Sequence, residues 1–368
     1  MKVAIVHDWL NTKFGGAENV VAELADLYPE APIYTLLYAP ELVGDRIHPG
    51  RIHTSFLQKL PRWLRRRSRY LLPLIPMAIE QFDLSAYDVV ISSSSAFAKG
   101  VITRPETLHI CYCHTPMRFV WDYWPGYVEE QHVGHIQRGA IHVLTSRLRL
   151  WDYYSAARVD RWVANSHTTA QRIKKYYHQE VAAMIYPGAD TSQFAPSTKT
   201  SDYFVTLSSL TPYKKIDVAI AACNRLERRL IVVGDGPDRP RLERLAGPTI
   251  EFAGRVNDTE RAHLLAGARA MLFPNEEDFG IAPIEAMASG TPVIAFGRGG
   301  LTETIAPGVS GILFQPQSVE ALVAAITDFQ PTKFTAAALT RQAAKFTTAA
   351  FRKNIKTYVQ KAYDDYRA

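Results

Sequence analysis

Two carboxylates, Glu277 and Glu285, bracket the stretch of this chain whose residue types could do the most chemistry: Phe273-Pro274-Asn275-Glu276-Glu277-Asp278-Phe279-Gly280-Ile281-Ala282-Pro283-Ile284-Glu285. An apolar run stops at Pro274, a polar loop carries Glu277, and Gly280 lets the backbone come close to a ligand. A helix then begins, with Pro283 tolerated in its first turn, and stops at Gly290. Such a junction presents unpaired N–H groups and the positive end of the helix dipole, which suits a phosphate. Glu285, one turn into the helix, is placed to accept hydrogen bonds from sugar hydroxyls. Taken singly, each acid reads equally well as a solvated surface group; the string as a whole does not.

Other groups are weaker alone. Gly15-Gly16-Ala17-Glu18 follows the first apolar run but is not the G-x-G-x-x-G of a dinucleotide turn. His109, Cys111, Cys113 and His114 could be misread as a metal site, yet on a strand 109, 111 and 113 share one face and 114 points the other way. No metal is expected, and no D-x-D acid pair for a metal–diphosphate is present.

The elements that must position these groups are short β-branched runs, each closed by Gly, Pro, Ser or Asn and followed by a helix-like stretch. In the first half they are Val3–His7, Ile33–Tyr38, Val89–Ser92, His109–His114, Trp162–Ala164 and Met184–Tyr186. In the second half they are Phe204–Leu207, Leu230–Val233, Ile250–Phe252, Ala270–Phe273, Val293–Phe296 and Ile312–Phe314. Runs without alternation suit strands buried on both faces, and helices between them imply parallel sheets. The fold class is α/β, twice over. A polar stretch after Pro187-Gly188 marks the boundary: residues 1–192 form an N-terminal domain and 200–345 a C-terminal one. Residues 350–368 form a terminal helix with apolar positions at 351, 355, 358, 359, 362 and 366. Ligands of such sheets bind outside the carboxyl ends of the strands.

The string EEDFGIAPIEAMASGTPVIA resembles the signature of the retaining, nucleotide-sugar-dependent glycosyltransferases of family 4, which have the GT-B fold. GGAE at 15–18, CYCHTP at 111–116, YPGAD at 186–190, VVGDGP at 232–237, FAGRV at 252–256 and GRGGLTETI at 297–305 fall at matching places. The resemblance implies two Rossmann-like domains facing a central cleft, the last helix crossing back to the N-terminal domain. It implies that Glu285 binds the donor ribose, that Glu277 and His114 sit at the donor hexose, and that N–H groups around Phe279, Gly280 and Ile281 hold the diphosphate. Gly15 and Gly16 would approach that diphosphate from the other domain. In Thr211-Pro212-Tyr213-Lys214-Lys215, Lys214 would neutralise the leaving group with Lys215 in support; read without the resemblance, the two lysines are a surface pair. Ser209-Leu210 stands where the family has Arg-Leu, which removes a charge-assisted clamp from the leaving group.

The net charge is 42 − 36 = +6, and the distribution is uneven. Lys59, Arg62, Arg65, Arg66, Arg67 and Arg69 lie in one acid-free segment, interleaved with Trp63, Leu64, Tyr70, Leu71 and Leu72. Aromatics among arginines suit an anionic membrane surface and a lipid-linked acceptor; a solvated helix with a core-facing stripe is the plainer reading. No other nucleic-acid feature accompanies the segment, so nucleic acid is not expected. No apolar run approaches the roughly 20 residues of a membrane span, and three cysteines are too few for a disulfide framework. The expectation is a cytoplasmic enzyme, peripheral on the inner face of the membrane.

The expected activity is metal-independent, cofactor-free transfer of a hexose from a nucleotide-sugar to an acceptor hydroxyl. Among donors the resemblance points to GDP-mannose, and among processes to surface polysaccharide assembly. An epimerase or phosphorylase of the same fold, or a non-catalytic module that binds nucleotide-sugar, are the alternatives.

Overall fold

The computed structural model describes residues 1–12, 15–65, 68–122, 135–197 and 201–368. The apolar runs form thirteen strands among these residues. They are β1 Val3–His7, β2 Ile33–Thr35, β3 Ile52–Thr54, β4 Val89–Ser94, β5 Leu108–Cys113, β6 Arg161–Ala164 and β7 Val181–Met184. Then come β8 Tyr203–Leu207, β9 Arg229–Val233, β10 Ile250–Gly254, β11 Ala270–Phe273, β12 Val293–Phe296 and β13 Gly311–Phe314. They build a seven-stranded sheet in the order β3-β2-β1-β4-β5-β6-β7 and a six-stranded sheet in the order β10-β9-β8-β11-β12-β13. The β1–β4 and β8–β11 pairings are parallel, as are the others. Strand order reverses beside β1 and again beside β8, so each sheet has a crevice at the carboxyl ends of β1 and β4, or of β8 and β11.

The chain divides into two compact units, Met1–Pro187 with Phe351–Ala368, and Gly188–Ala350. In the first, the helix Gly16–Leu27 covers one face of the sheet beside the terminal helix Thr348–Arg367. Phe351, Ile355, Val359 and Ala362 of that helix are buried, a 3.6-residue stripe that follows directly from the sequence. Arg352 pins it by ion pairs to Glu23 and Asp26. In the second unit, Phe204, Leu230, Leu272, Ile294 and Phe314 from five strands share one core with the helices Ile216–Arg225 and Val319–Thr327.

The strand boundaries differ from the sequence reading at the first sheet's margins. β3 has no counterpart in the sequence reading: Ile-His-Thr is three residues long and only its Ile is apolar. β7 is Val181–Met184 rather than Met184–Tyr186. β2 stops at Thr35, after which the chain stays beside the first strand's continuation through an isolated Leu10–Tyr38 bridge. In this unit's crevice, Asp8, just past β1, accepts hydrogen bonds from the N–H groups of Ser95, Ala96, Phe97 and Ala98 at 2.6–2.9 Å. The protein's own carboxylate thus takes the backbone donors that follow β4.

Candidate active site

The crevice of the second sheet brings together what the sequence separates. Lys214 ends a short 3-10 turn, Pro212–Lys214, after β8; Glu277 lies in the loop after β11, the neighbouring strand. Their side chains form an ion pair, Lys214 Nζ to Glu277 Oε2. The same oxygen accepts from Asn275 Nδ2 at 2.8 Å. Lys214 also lies 5.2 Å from the centroid of the Tyr213 ring. Glu277 is therefore not a free acid at a loop tip but the hub of a small polar network. Asn275 is fully buried, so its amide holds the Glu277 carboxylate from inside the protein.

The loop is held from beneath by its backbone. Glu277 pairs with Gly299 as an isolated parallel bridge, and Gly300 N–H donates to the Glu277 carbonyl at 2.8 Å. Gly280 then turns the chain into the helix Ile281–Ala288 with φ at +91°, a region that L side chains rarely enter. A Cβ there would meet Leu301 Cδ2 at 2.8 Å. Phe279 is buried against Phe346, ring centroids 5.6 Å apart. The N-terminal amides of the helix, from Ile281 on, are thus set at the mouth of the same crevice. No side chain caps this terminus, so an anion can take its place.

Glu285 is buried, contrary to a surface-helix reading. Burial pushes its carboxyl up to about 7, against the pull of Arg261. Arg261 Nη2 stands 3.4 Å from Glu285 Oε1 and 3.1 Å from Asp258 Oδ1, with its guanidinium 5.5 Å from the Phe194 ring centroid. Arg261 was not anticipated. It lies in a helix, Asp258–Gly267, whose sequence announces only a capping box between Asn257 and Glu260. Nothing in that pattern points at a site 24 residues away along the chain. Asn275 immediately precedes the signature string, and its residue type alone signals no role there.

Lys215 adopts a left-handed conformation, φ +53°, at the N-terminus of Ile216–Arg225. Ser209 is exposed in the turn after β8.

The remaining candidates lie in the first unit. Gly15 caps the helix Gly16–Leu27, and its N–H donates to Glu18 Oε2 at 3.0 Å. Glu18 in turn accepts from Thr12 Oγ1 at 2.9 Å. A diphosphate approaching Gly15 would have to displace this capping box. His114 follows β5, and its Nε2 lies 2.8 Å from Ser93 Oγ. Burial, with His7 nearby, pushes its pKa down to about 3, so the ring is neutral at physiological pH. His109 is likewise held neutral, at about 4, chiefly by burial.

The basic segment is not one amphipathic helix. It breaks into Arg62–Arg65, a 3-10 stretch Ser68–Leu74 that contains Pro73, and Ile75–Glu80. Leu71 is buried, and Leu64 and Leu72 pack on the core, so those three do not face solvent; Trp63 at 63% and Tyr70 at 55% exposure do. Arg62 meets an acid from outside the segment, Glu41, at 3.4 Å. Arg66 and Arg67 lie outside the described residues, as does the Arg69 side chain. Among the described residues no helix is long and apolar enough to cross a membrane.

Known proteins resemble this chain in sequence and in fold. The family model "Glycosyltransferase Family 4" matches residues 14–193, and "Glycosyl transferases group 1" matches residues 189–346. A GDP-mannose-dependent alpha-mannosyltransferase of Mycolicibacterium smegmatis is 27% identical over 347 residues, covering 89% of this chain and 88% of that protein. A GDP-mannose-dependent alpha-(1-6)-phosphatidylinositol dimannoside mannosyltransferase of Mycobacterium tuberculosis is 42% identical over 96 residues, a quarter of each chain. Among solved structures, sucrose-phosphate synthase from Thermosynechococcus elongatus superposes with a TM-score of 0.73 at 19% identity, covering 99% of this chain and 100% of that one. HepE of Anabaena in complex with UDP gives 0.69 at 18%, covering 98% and 100%. These last two carry the fold.

Proposed function

The chain belongs to the family 4 glycosyltransferases of the GT-B fold, and from that premise we propose that it transfers mannose from GDP-mannose, with retention and without a metal, to a lipid-linked saccharide. The observation that carries the reading is the Lys214–Glu277 pair beside the uncapped N-terminus of Ile281–Ala288. A cation and a set of amides there answer the diphosphate, while carboxylates answer the hydroxyls of the sugar and ribose. Mannose rests on the two mannosyltransferase relatives.

In this mechanism the acceptor oxygen forms a bond to the anomeric carbon on the face from which the diphosphate leaves. The C1–O bond breaks with its electron pair going to the phosphate oxygen, and that oxygen takes the acceptor proton. Charge growing on the leaving group is met by Lys214, supported by Lys215, and by the amides from Gly280 and Ile281. Glu277 orients the hexose, with the Asn275 amide fixing its carboxylate. Glu285 accepts from the ribose, with Arg261 holding its carboxylate in place. His114 acts as a neutral hydrogen-bonding ring, since its low pKa removes it as a cation. Because Lys214 and the amides supply the positive charge, a divalent ion is not needed for it.

The test is turnover of the purified full chain with GDP-, UDP-, ADP- and dTDP-sugars, each with a short polyprenyl-phosphate-linked saccharide, with the product anomer read by NMR. Transfer of α-mannose from GDP-mannose in the presence of a chelator is expected. An inverted anomer, a strict metal requirement or preference for another donor overturns the corresponding part. Binding without transfer or hydrolysis would make the chain a nucleotide-sugar-binding module.

A further inference from the structure

Ser93 stands between two imidazoles. β1, β4 and β5 lie side by side in the first sheet. His7 ends β1, Ser93 is the last residue but one of β4, and His114 follows β5. The Ser93 carbonyl lies 3.0 Å from His7 Nδ1, and the Ser93 hydroxyl lies 2.8 Å from His114 Nε2. A carbonyl oxygen only accepts, so His7 carries its proton on Nδ1. A hydroxyl can donate or accept, so the place of the proton on His114 depends on what else surrounds the pair.

Ser93 is fully buried, and among the described residues its hydroxyl has one partner, His114 Nε2. If Nε2 carried the proton and donated to Ser93 Oγ, the Ser93 O–H would be a buried donor with nothing to donate to, which costs more than an unused lone pair. The reverse arrangement strands no donor: Ser93 O–H donates to Nε2, and the proton of the neutral ring sits on Nδ1. The ring is neutral because burial, with His7 beside it, holds its pKa down to about 3. Among the described residues nothing hydrogen-bonds to His114 Nδ1, and the residue keeps 8% of its surface exposed. The neighbouring pair Ser92–His109 allows no such choice, because His109 Nδ1 is sealed without a partner; His114 Nδ1 is not sealed in that way. The His114 ring is also held still. Its N–H donates to the Ser94 carbonyl at 2.9 Å, its carbonyl accepts from Thr169 Oγ1 at 3.1 Å, and the Tyr112 ring meets it edge-on with centroids 5.2 Å apart. His114 Nδ1–H is thus a preorganised donor at the carboxyl end of a parallel sheet, where ligands bind.

We propose that Ser93 is a positioning residue, holding His114 as the Nδ1–H tautomer so that Nδ1–H donates to an oxygen of the sugar substrate. That the ligand is this substrate rests on the glycosyltransferase reading above; the tautomer rests on the chain's own hydrogen bonds. Ser93→Ala removes the hydroxyl and leaves the carbonyl bonded to His7, so the change is confined to the Nε2 side of His114. Asparagine in place of this histidine sets an amide N–H near the position of Nδ1, and glutamine sets one near that of Nε2. The two variants therefore separate the two donors.

Long-range proton–nitrogen NMR spectra of the full chain with labelled histidine report which ring nitrogen is protonated, with no substrate present; the signals lost in His114→Asn assign those of His114. The wild type should show a protonated Nδ1 and a bare Nε2, and Ser93→Ala a mixture of the two tautomers. In the proposed mannosyl transfer, Ser93→Ala should lower kcat/KM by about tenfold, part of the cost of losing one preorganised donor. His114→Asn should retain more kcat/KM than His114→Gln. Ser93→Ala should cost little in the His114→Asn background, because the hydroxyl acts through the imidazole. Melting curves show that each variant is folded, and the wild-type spectrum with the two His114 variants decides the matter even where Ser93→Ala does not fold. A wild type protonated on Nε2, a tautomer or a kcat/KM unmoved by Ser93→Ala, glutamine serving as well as asparagine, or a full loss from Ser93→Ala in the His114→Asn background overturns the proposal. If the tautomer shifts as expected while the wild type transfers no sugar, the glycosyltransferase reading fails and the hold of Ser93 on His114 stands.

Discussion

Glu277 rests on Gly299: a Cβ at Gly299 would lie 2.3 Å from the Glu277 carbonyl oxygen, and the two residues pair as a parallel bridge. The φ of Gly299 is +74°. Gly299→Ala therefore meets both a backbone clash and a left-handed conformation that costs about 1–2 kcal/mol. Because the obstacle is backbone, the loop must lift, and with it the Glu277 carboxylate. The expected result is a folded protein with turnover reduced at least tenfold and melting lowered by several degrees. Unchanged turnover in a folded Gly299→Ala protein would show that the height of the loop does not matter.

Glu285 makes stability depend on pH in a defined direction. Its folded value, about 7, lies above that of an unfolded glutamate, about 4.3. A raised acid favours the folded state when protonated, so its contribution is present below about pH 4 and is lost as pH rises to 7. The loss is on the order of 3–4 kcal/mol. Glu285→Gln should remove this slope and raise melting at pH 8, since Arg261 still has Asp258 at 3.1 Å. The same change should weaken donor binding at least tenfold, because charge-assisted hydrogen bonds worth about 1.5–3 kcal/mol are lost. Melting curves from pH 4 to 8 with and without nucleotide check both arms; a variant no more stable at pH 8 contradicts the burial argument.

The double α/β architecture was legible because strands covered on both faces leave uninterrupted apolar runs, as in Val3–Val6 and Ala270–Phe273, which lie in strands of the structure. β3 was illegible because an edge strand of Ile-His-Thr carries no such run. In the site, Glu277, Gly280 and Glu285 stood out by type and spacing within one segment. The partnership of Lys214 with Glu277 spans 63 residues and depends on β8 lying beside β11, which no local pattern encodes. Arg261 was hidden for the same reason. In the basic segment the inward turn of Leu71 fits a core-facing stripe, but Pro73 inside a 3-10 stretch breaks the segment into short pieces, which its apolar spacing does not announce.

Lys214 and Lys215 are neighbours in sequence with different geometry. Lys214 reaches the Glu277 carboxylate, whereas Lys215 turns the chain in a left-handed conformation. Lys214→Ala should lower turnover by about 10²-fold or more, the size of losing one preorganised group at a developing charge. Lys215→Ala should cost far less turnover. Ser209 is exposed, so Ser209→Arg can fold, and the added guanidinium should raise turnover. Equal losses for the two lysines, or no gain from the arginine, would point to a different diphosphate geometry.

Trp63, Tyr70, Leu74 and Met77 are all exposed, at 63%, 55%, 38% and 55%, within the most basic segment of the chain. Large apolar side chains held outward beside cations can enter the boundary of an anionic bilayer, where each nearby basic residue adds about 1 kcal/mol. The apolar part of that binding is the more diagnostic, because charge alone also draws a soluble basic protein to vesicles. Trp63→Ser with Met77→Ser leaves every charge in place but removes two side chains, each worth about 1.5–3 kcal/mol when fully buried. Even partial insertion then predicts at least a tenfold fall in binding to vesicles containing anionic lipid. Wild-type binding should weaken steeply with salt, since the attraction is screened over about 10 Å at 0.1 M. Nucleotide affinity should not move, because Lys214, Glu277 and Glu285 belong to the other unit. Vesicle sedimentation decides the matter. A double variant that binds as well as wild type, or a wild type that ignores anionic vesicles, makes this segment a solvated surface and leaves the acceptor to be sought in solution.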